Sequence, residues 1–455
     1  MNNTAESVLR QSAEQLAGVS FHCPCGREHE VHIRKFVLEE GALYRTYGLI
    51  RELGLGRKAL LVADRASYAA AGETLAGELS RQGMDIRLSV FPEEQWYAEE
   101  KAIVRVLIDL EPDTELVIAV GSGTINDIVR FVSSKAKLPY IVAATAPSMD
   151  GYASTASPLL VNGFKKTYAL ASPVAVVGDL TVLRQAPADR AAAGVGDMLA
   201  KITALCDWLL ASVVEQEYYC DIVAGLMVRA LTGIIDSIGA IRDGEEQATR
   251  LLMEGLVLSG IAMQMVGSSR PASGAEHHLS HYWEMKHFAA GHKPELHGIK
   301  VGVATPVIAK LYEKLLQTDV ETIAMREKPA ERREQWERDI RRCYGALAEE
   351  IIAANRGLLL PQPELDIRRD RLVAHWPGLK SRLRAILDLA SDLPDLLRQA
   401  GAPAKPEQIG IGGEELAEAL RMAKEVRSRY TILQLADQAD WLEPFAEEMA
   451  VGVRA

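Results

Sequence analysis

The sequence predicts a chain in two parts: an α/β half with a Rossmann-like parallel sheet over residues 1–186, and an all-α half over 187–455. Three observations carry this. Short β-branched apolar runs alternate with helical stretches as far as residue 177. Strand signals stop after Pro187. From 191 onward the chain is a succession of Ala/Leu-rich helical segments punctuated by Gly and Pro.

The expected strands are 59–63 (A-L-L-V-A), 86–91, 115–120, 140–144 and 173–177, with helices at 69–82 and 124–134 between them. In the second half, 191–212, 217–241, 246–266 and 299–317 have helical character. The charge-rich run 325–342 reads as a solvated helix or helix connection, and 355–412, with its Pro and Gly interruptions, as an excursion.

With 455 residues, 48% hydrophobic and 25% charged, the chain is long and apolar enough for two cores, which excludes a disordered class. The balance of 51 basic against 62 acidic residues, a net charge of -11, argues against a surface built for nucleic acid or anionic lipid, while leaving room for a local anion pocket. The apolar window 222–240 contains Arg229 and Asp236, so it reads as a buried helix rather than a membrane span. The first ten residues lack the regions of a signal peptide, and five cysteines are too few and too odd a set for a disulfide framework; a cytoplasmic location is expected. Cys206, Cys220 and Cys343 read as core or partly buried thiols. His22, Cys23, Cys25 and His29 raise a structural zinc, but C-x-C with irregular flanking histidines is a weak signal, and a simple turn is the favoured reading.

Six of the ten histidines fall within 277–297. A catalytic metal site needs neutral nitrogen ligands presented from fixed points, so this cluster marks the expected active site, in the helical half and facing a cleft shared with the α/β half. His277 and His281 lie one helical turn apart, whereas His278 points about 100 degrees away. His297 precedes Gly298, which permits close approach; His287 and His292 receive no role. In G194-V-G-D-M-L-A-K201, Asp197 and Lys201 share a helix face, for which an ion pair is the ordinary explanation. Joined with His277 and His297, however, Asp197 completes the three-ligand set typical of a catalytic zinc with one open position.

In 117–130, V-I-A-V-G-S-G-T-I-N-D-I-V-R, a buried strand meets a Gly-x-Gly turn and a helix start, where backbone N–H groups can approach phosphate. Asn126 stands where the third glycine of G-x-G-x-x-G would be, so the usual Rossmann signature is absent. Asp64, at the end of the first strand, suits the ribose of NAD and disfavours the extra phosphate of NADP; a helix N-cap explains it equally well. Thr145 and Ser148 follow the 140–144 strand at the carboxyl edge where ligands bind, and Asp150 could fix a polyol hydroxyl; a hydrogen-bonded turn is the alternative.

Taken in order, G-S-G-T-I-N-D, T-A-P-S-M-D-G, G-V-G-D-M-L-A-K, S-G-A-E-H-H-L-S-H and L-H-G make the chain resemble the metal-dependent polyol dehydrogenases of the iron-alcohol-dehydrogenase and dehydroquinate-synthase superfamily. Within it, the chain is most similar to the branch that reduces dihydroxyacetone phosphate to sn-glycerol 1-phosphate. The resemblance spans most of 20–320 and the final helices. It implies a dehydroquinate-synthase-like architecture, with residues 1–186 binding NAD(H), or NADP(H) as the alternative, and 187–455 binding metal and substrate. It implies that Gly121, Ser122, Gly123, Thr124, Ile125, Asn126, Asp127, Thr145, Ala146, Pro147, Ser148 and Ser154 surround the cofactor, with Asp64 at the ribose. It further implies that Asp197, His277 and His297 hold one divalent metal, that Asp150, Asp197 and His281 contact substrate, and that Asp197 and His281 are catalytic.

Iron-binding relatives carry a fourth ligand, a histidine, four residues after the aspartate; here Lys201 stands there, as in zinc-type members, and zinc and nickel both suit the set. Lys201, Arg270 and Lys300 are the available donors for a substrate phosphate. The resemblance also implies a homodimer, and a product used in phospholipid synthesis. Three rivals stand beside it. One is a glycerol dehydrogenase on unphosphorylated substrate; the second is a dehydroquinate-synthase-like lyase, whose fuller set of lysines is not seen here; the third is a nucleotide-binding protein without turnover.

Overall fold

The computed structural model describes residues 5–92, 96–161, 164–293 and 295–454. Among them are ten strands: β1 Ser20–His22, β2 Glu28–Glu30, β3 Lys35–Glu39, β4 Lys58–Asp64, β5 Asp85–Phe91, β6 Leu116–Gly121, β7 Tyr140–Ala144, β8 Ala156–Val161, β9 Phe164–Ala169 and β10 Ala175–Asp179. Six form one parallel sheet in the order β3-β10-β7-β6-β4-β5. The central strands β6, β7 and β10 are buried at every position, which is why they read as unbroken apolar runs: helices cover both faces of a parallel sheet.

All five expected strands are present, with ends shifted by at most two residues. The sixth, β3, escapes the same test because it lies at the sheet edge and buries only alternate residues, Phe36 and Leu38. The hairpins β1/β2 and β8/β9 were also outside the expectation. The chain runs from β4 to its neighbour β5, then returns to the other side of β4 as β6. The order therefore reverses between β4 and β6, and the crevice at their carboxyl ends is where open α/β sheets bind ligands. Asp64 closes β4 and Gly121 closes β6.

The chain divides into two compact units. The first comprises 1–198, 220–271 and 399–402, and the second 199–219, 272–398 and 403–455. The last strand ends at Asp179, and compactness gives the first unit the helices Asp221–Ile235 and Glu246–Val266 as well. Glu246–Val266 is the one helix among the described residues long and apolar enough to cross a membrane, and 83% of that apolar window is buried within the protein. Gly260 in that helix lets it close on Ala153: a Cβ there would sit 2.8 Å from the Ala153 Cβ.

The second unit is helical, built on Lys201–Val214, Ala275–Ala289 and His297–Gln317. Lys201–Val214 is buried nearly all round, so its sequence shows little amphipathic contrast. The expected single helix 191–212 is two, Ala188–Leu199 and Lys201–Val214, and 217–241 likewise divides into Asp221–Ile235 and Ile238–Arg242. The charged run forms Ala330–Tyr344, which is not wholly solvated: it buries Trp336, Ile340 and Tyr344, and Trp336 donates to Glu425 at 2.7 Å. Within 355–412, helix Gln362–Leu387 continues through Pro377.

Candidate functional site

In the first unit, Gly121 ends β6 and helix Gly123–Ala136 begins two residues later, with Ser122 as its N-cap. A Cβ on Gly121 would come 2.9 Å from the Ile125 side chain, so this tight turn requires glycine. Ser122 makes no side-chain cap, and the first-turn N–H groups of Gly123, Thr124 and Ile125 precede any intrahelical acceptor, the arrangement that favours an anionic ligand. Thr145 donates its N–H to the Gly121 carbonyl at 3.2 Å, tying the end of β7 to this turn.

Arg130, fully buried, braces the loop that follows. Its Nε donates to Tyr140 Oη at 2.9 Å, Nη1 to the Ala156 carbonyl at 2.6 Å, and Nη2 to the Tyr152 carbonyl at 3.2 Å and to the Gly151 carbonyl. Asn126, also buried, adds a bond from Nδ2 to the Gly151 carbonyl at 3.1 Å. Burial pushes the Asp127 carboxyl up to about 6, despite Arg130 at 3.1 Å. Tyr152 donates to the Ala146 carbonyl at 2.6 Å, and Ser154, buried, donates to Ala156 at 2.9 Å.

Pro147 and Ser148 are buried at the crossing of this loop with helix Ala188–Leu199. There Gly194 meets the Pro147 carbonyl so closely that a Cβ would lie 2.0 Å from its oxygen. Three residues further along the helix, Asp197 accepts the Asp150 N–H at 2.9 Å; Asp150 in turn accepts Ser259 Oγ–H at 2.8 Å. Asp64 is an N-cap: its Oδ1 accepts the Ser67 N–H at 2.7 Å and the Ser67 hydroxyl at 2.8 Å. The capping explanation of Asp64 therefore holds, and it uses one of the two carboxylate oxygens.

In the second unit, His277 and His281 lie on helix Ala275–Ala289, and His297 opens helix His297–Gln317. The three rings gather, with centroids 5.3 Å apart for His277 and His297, 5.8 Å for His281 and His297, and 6.1 Å for His277 and His281. Each of His281, Glu284 and His297 offers a ligand atom within 4.8 Å of the others. His287 lies 3.5 Å from Glu415 instead, and His292 is exposed.

Glu276 positions the cluster. Fully buried, it stands 2.7 Å from His277 Nδ1 and accepts the Thr203 hydroxyl and the Gly274 N–H, both at 2.7 Å. Burial raises its carboxyl above the usual range. Beneath it, Asp207 accepts the Ala275 N–H, the Tyr312 hydroxyl and the Ile432 N–H at 2.6, 2.6 and 2.7 Å. Burial, helped by the charge of Glu276, pushes Asp207 up to about 7. Gly274 fits between the two carboxylates, where a Cβ would be 2.5 Å from Asp207 and 2.9 Å from Glu276.

His281 Nε2 lies 3.3 Å from Arg427 Nη2, whose own charge burial disfavours, lowering it to about 10. Since a guanidinium only donates, His281 accepts at Nε2 and carries its proton on Nδ1. Nδ1 is 4.0 Å from Glu284, which pairs with Lys300 at 2.8 Å. Lys201 donates to the Ala272 carbonyl at 3.2 Å. Glu276, Glu284, Ser259 and Arg427 were all outside the sequence expectation. Glu276 adjoins His277 and could have been weighed as its orienting carboxylate; nothing local marks Arg427, 146 residues from His281.

Comparison with known proteins gives the family model "Iron-containing alcohol dehydrogenase" over residues 37–187. Glycerol-1-phosphate dehydrogenase (NAD(P)+) of Geobacillus stearothermophilus is 35% identical over 96% of this chain and 100% of its own length. The protein of the same name from Pyrococcus furiosus is 32% identical over 61% of this chain and 78% of its own. Among solved structures, an alcohol dehydrogenase from Oenococcus oeni superposes with a TM-score of 0.61 at 15% identity, covering 92% of this chain and 97% of that one. A glycerol dehydrogenase from Schizosaccharomyces pombe gives 0.58 at 18%, covering 92% and 90%. These likenesses show the fold.

Proposed function

The chain belongs to the glycerol-1-phosphate dehydrogenase family, whose members use NAD(P) and a divalent metal, and from that premise we propose that it reduces dihydroxyacetone phosphate to sn-glycerol 1-phosphate, reversibly. The observation that carries this is the buried Glu276–His277 contact at the edge of a three-imidazole cluster, since a carboxylate on Nδ1 leaves Nε2 as the ligand nitrogen.

We assign the metal to Asp197, His277 and His297. Two imidazoles and a carboxylate suit zinc or nickel and leave room for a substrate oxygen. The metal when bound polarises the C2 oxygen and the nicotinamide supplies the hydride. The turn at Gly121–Asp127 offers N–H groups to the cofactor pyrophosphate, and Thr145, Ala146, Pro147, Ser148 and Ser154 shape its loop. Asp64 accepts the ribose 2'-hydroxyl through the oxygen that Ser67 does not engage, which favours NAD(H) over NADP(H). Asp150 binds a substrate hydroxyl, and the compensating proton is held at His281 Nδ1. Lys201, Arg270 and Lys300 are the candidate phosphate donors, of which Lys300 is paired with Glu284. We place the chain in the cytoplasm, as a homodimer; its sparse cysteines support the first and the resemblance supports the second.

The test is NADH oxidation by metal-reconstituted protein with dihydroxyacetone phosphate beside dihydroxyacetone. A strong preference for the phosphate ester, lost on chelation, is expected. Preference for dihydroxyacetone would move the assignment to glycerol dehydrogenase, and no turnover of either would overturn it.

A further inference from the structure

We propose a second metal site in this chain, a closed structural zinc site formed by Cys23, Cys25, His29 and Cys220, distinct from the histidine cluster and wholly within the first compact unit. The sequence favours a turn over a zinc site here, and a turn is present: the Cys23 N–H donates to the Arg27 carbonyl and the Gly26 N–H to the Cys23 carbonyl, both at 3.0 Å, with Gly26 at a left-handed φ of +86°. What the sequence hides is Cys220, placed against Cys23 from 197 residues away by helix Asp221–Ile235, which it immediately precedes. His22, on the opposite face of β1, is exposed and takes no part.

Three of the six ligand–ligand separations are close to those along a tetrahedron's edges. Cys23 Sγ lies 3.6 Å from Cys220 Sγ, and His29 Nε2 lies 3.4 Å from both Cys25 Sγ and Cys220 Sγ; all four ligand atoms fall within 4.8 Å of one another. Zinc bonds of about 2.3 Å to sulfur and about 2.0 Å to nitrogen require S···S and S···N separations of about 3.5–3.8 Å. A disulfide would need sulfurs about 2.05 Å apart, and none of the five cysteines is in a disulfide.

A second, independent observation points the same way. His29 is fully buried, and its Nδ1 lies 2.6 Å from the Met265 carbonyl oxygen. A carbonyl only accepts, so Nδ1 carries the proton and Nε2 turns its lone pair toward the three sulfurs. Three of the chain's five cysteines thus converge on one oriented imidazole nitrogen. Four protein ligands with a buried histidine leave no open position, which marks a structural rather than a catalytic site. On binding, each thiol releases its proton to solvent, and the ion clamps the β1/β2 hairpin to the start of helix Asp221–Ile235.

Cobalt(II) loaded into the full-length protein reports the ligands directly, because thiolate ligation adds a charge-transfer band in the near ultraviolet that histidine and carboxylate do not give. The expected result is a band for one thiolate site per chain, weakened by a third or more in Cys25→Ser and Cys220→Ser, and at full strength in Cys343→Ser and His277→Ala. Cys25 is half-buried, so its variant decides the matter even if Cys220→Ser fails to fold. No charge-transfer band in the wild type, a band of full strength in Cys25→Ser, or a Cys23–Cys220 disulfide in freshly isolated protein would each overturn the proposal.

Discussion

Glu276 and His277 are neighbours in sequence, and the Glu276 carboxylate lies 2.7 Å from Nδ1 of His277 while also accepting bonds from Thr203 and Gly274. The imidazole is thereby fixed in tautomer and orientation before any ligand arrives. Glu276→Gln should keep the fold but weaken metal affinity by roughly 10–100-fold, read by metal titration of the apoprotein. Unchanged affinity would remove Glu276 from the site.

Asp197→Ala and His281→Ala should separate two roles. The first should abolish turnover and metal retention while leaving NADH binding close to wild type. The second should retain metal and lower kcat by about 10²–10⁴-fold, the usual contribution of a positioned proton donor. Steady-state kinetics with metal analysis and cofactor fluorescence checks both; near-normal rates in a metal-free Asp197→Ala protein would refute the ligand assignment.

Gly194→Ala should act through the backbone. A methyl 2.0 Å from the Pro147 oxygen must push the 145–150 loop and helix Ala188–Leu199 apart. A cost of about 3 kcal/mol is expected, with weakened NADH binding because the loop is displaced. Thermal unfolding and NADH titration test this, and an unaltered Tm would contradict the close approach.

Asp207 should give the protein a stability that falls as pH rises. Its carboxyl is raised from 3.8 to about 7, so the folded state binds more protons than the unfolded state between those values. Stability contributed by this group is therefore present at low pH and is lost as pH rises through about 7, by a few kcal/mol. Denaturant unfolding between pH 5 and 8 should show that slope, flattened in Asp207→Asn; an equal slope in the variant would assign it to other groups.

The parallel sheet was legible because strands buried on both faces carry continuous apolar runs, as β6 and β7 do. Edge strand β3 and the two hairpins were not, since half-covered strands of three to six residues leave no such run. At the site, the Gly121 turn and the histidine cluster could be read because the fold needs those residue types at fixed spacing. Arg427 could not: it reaches His281 through tertiary packing. Cys220 is the same case, since one thiol far from C-P-C-G gives no periodic or local signal.

The first compact unit is assembled from three stretches, 1–198, 220–271 and 399–402, and this sets an order on its birth at the ribosome. At about 5–20 residues per second, the strands are all synthesised several seconds before helix Glu246–Val266. During that interval the nascent chain carries exposed apolar surface that its own later residues must bury. Truncation anywhere before 271 freezes the protein in that sticky adolescence, so fragments ending at the last strand should aggregate rather than fold as a free cofactor-binding module.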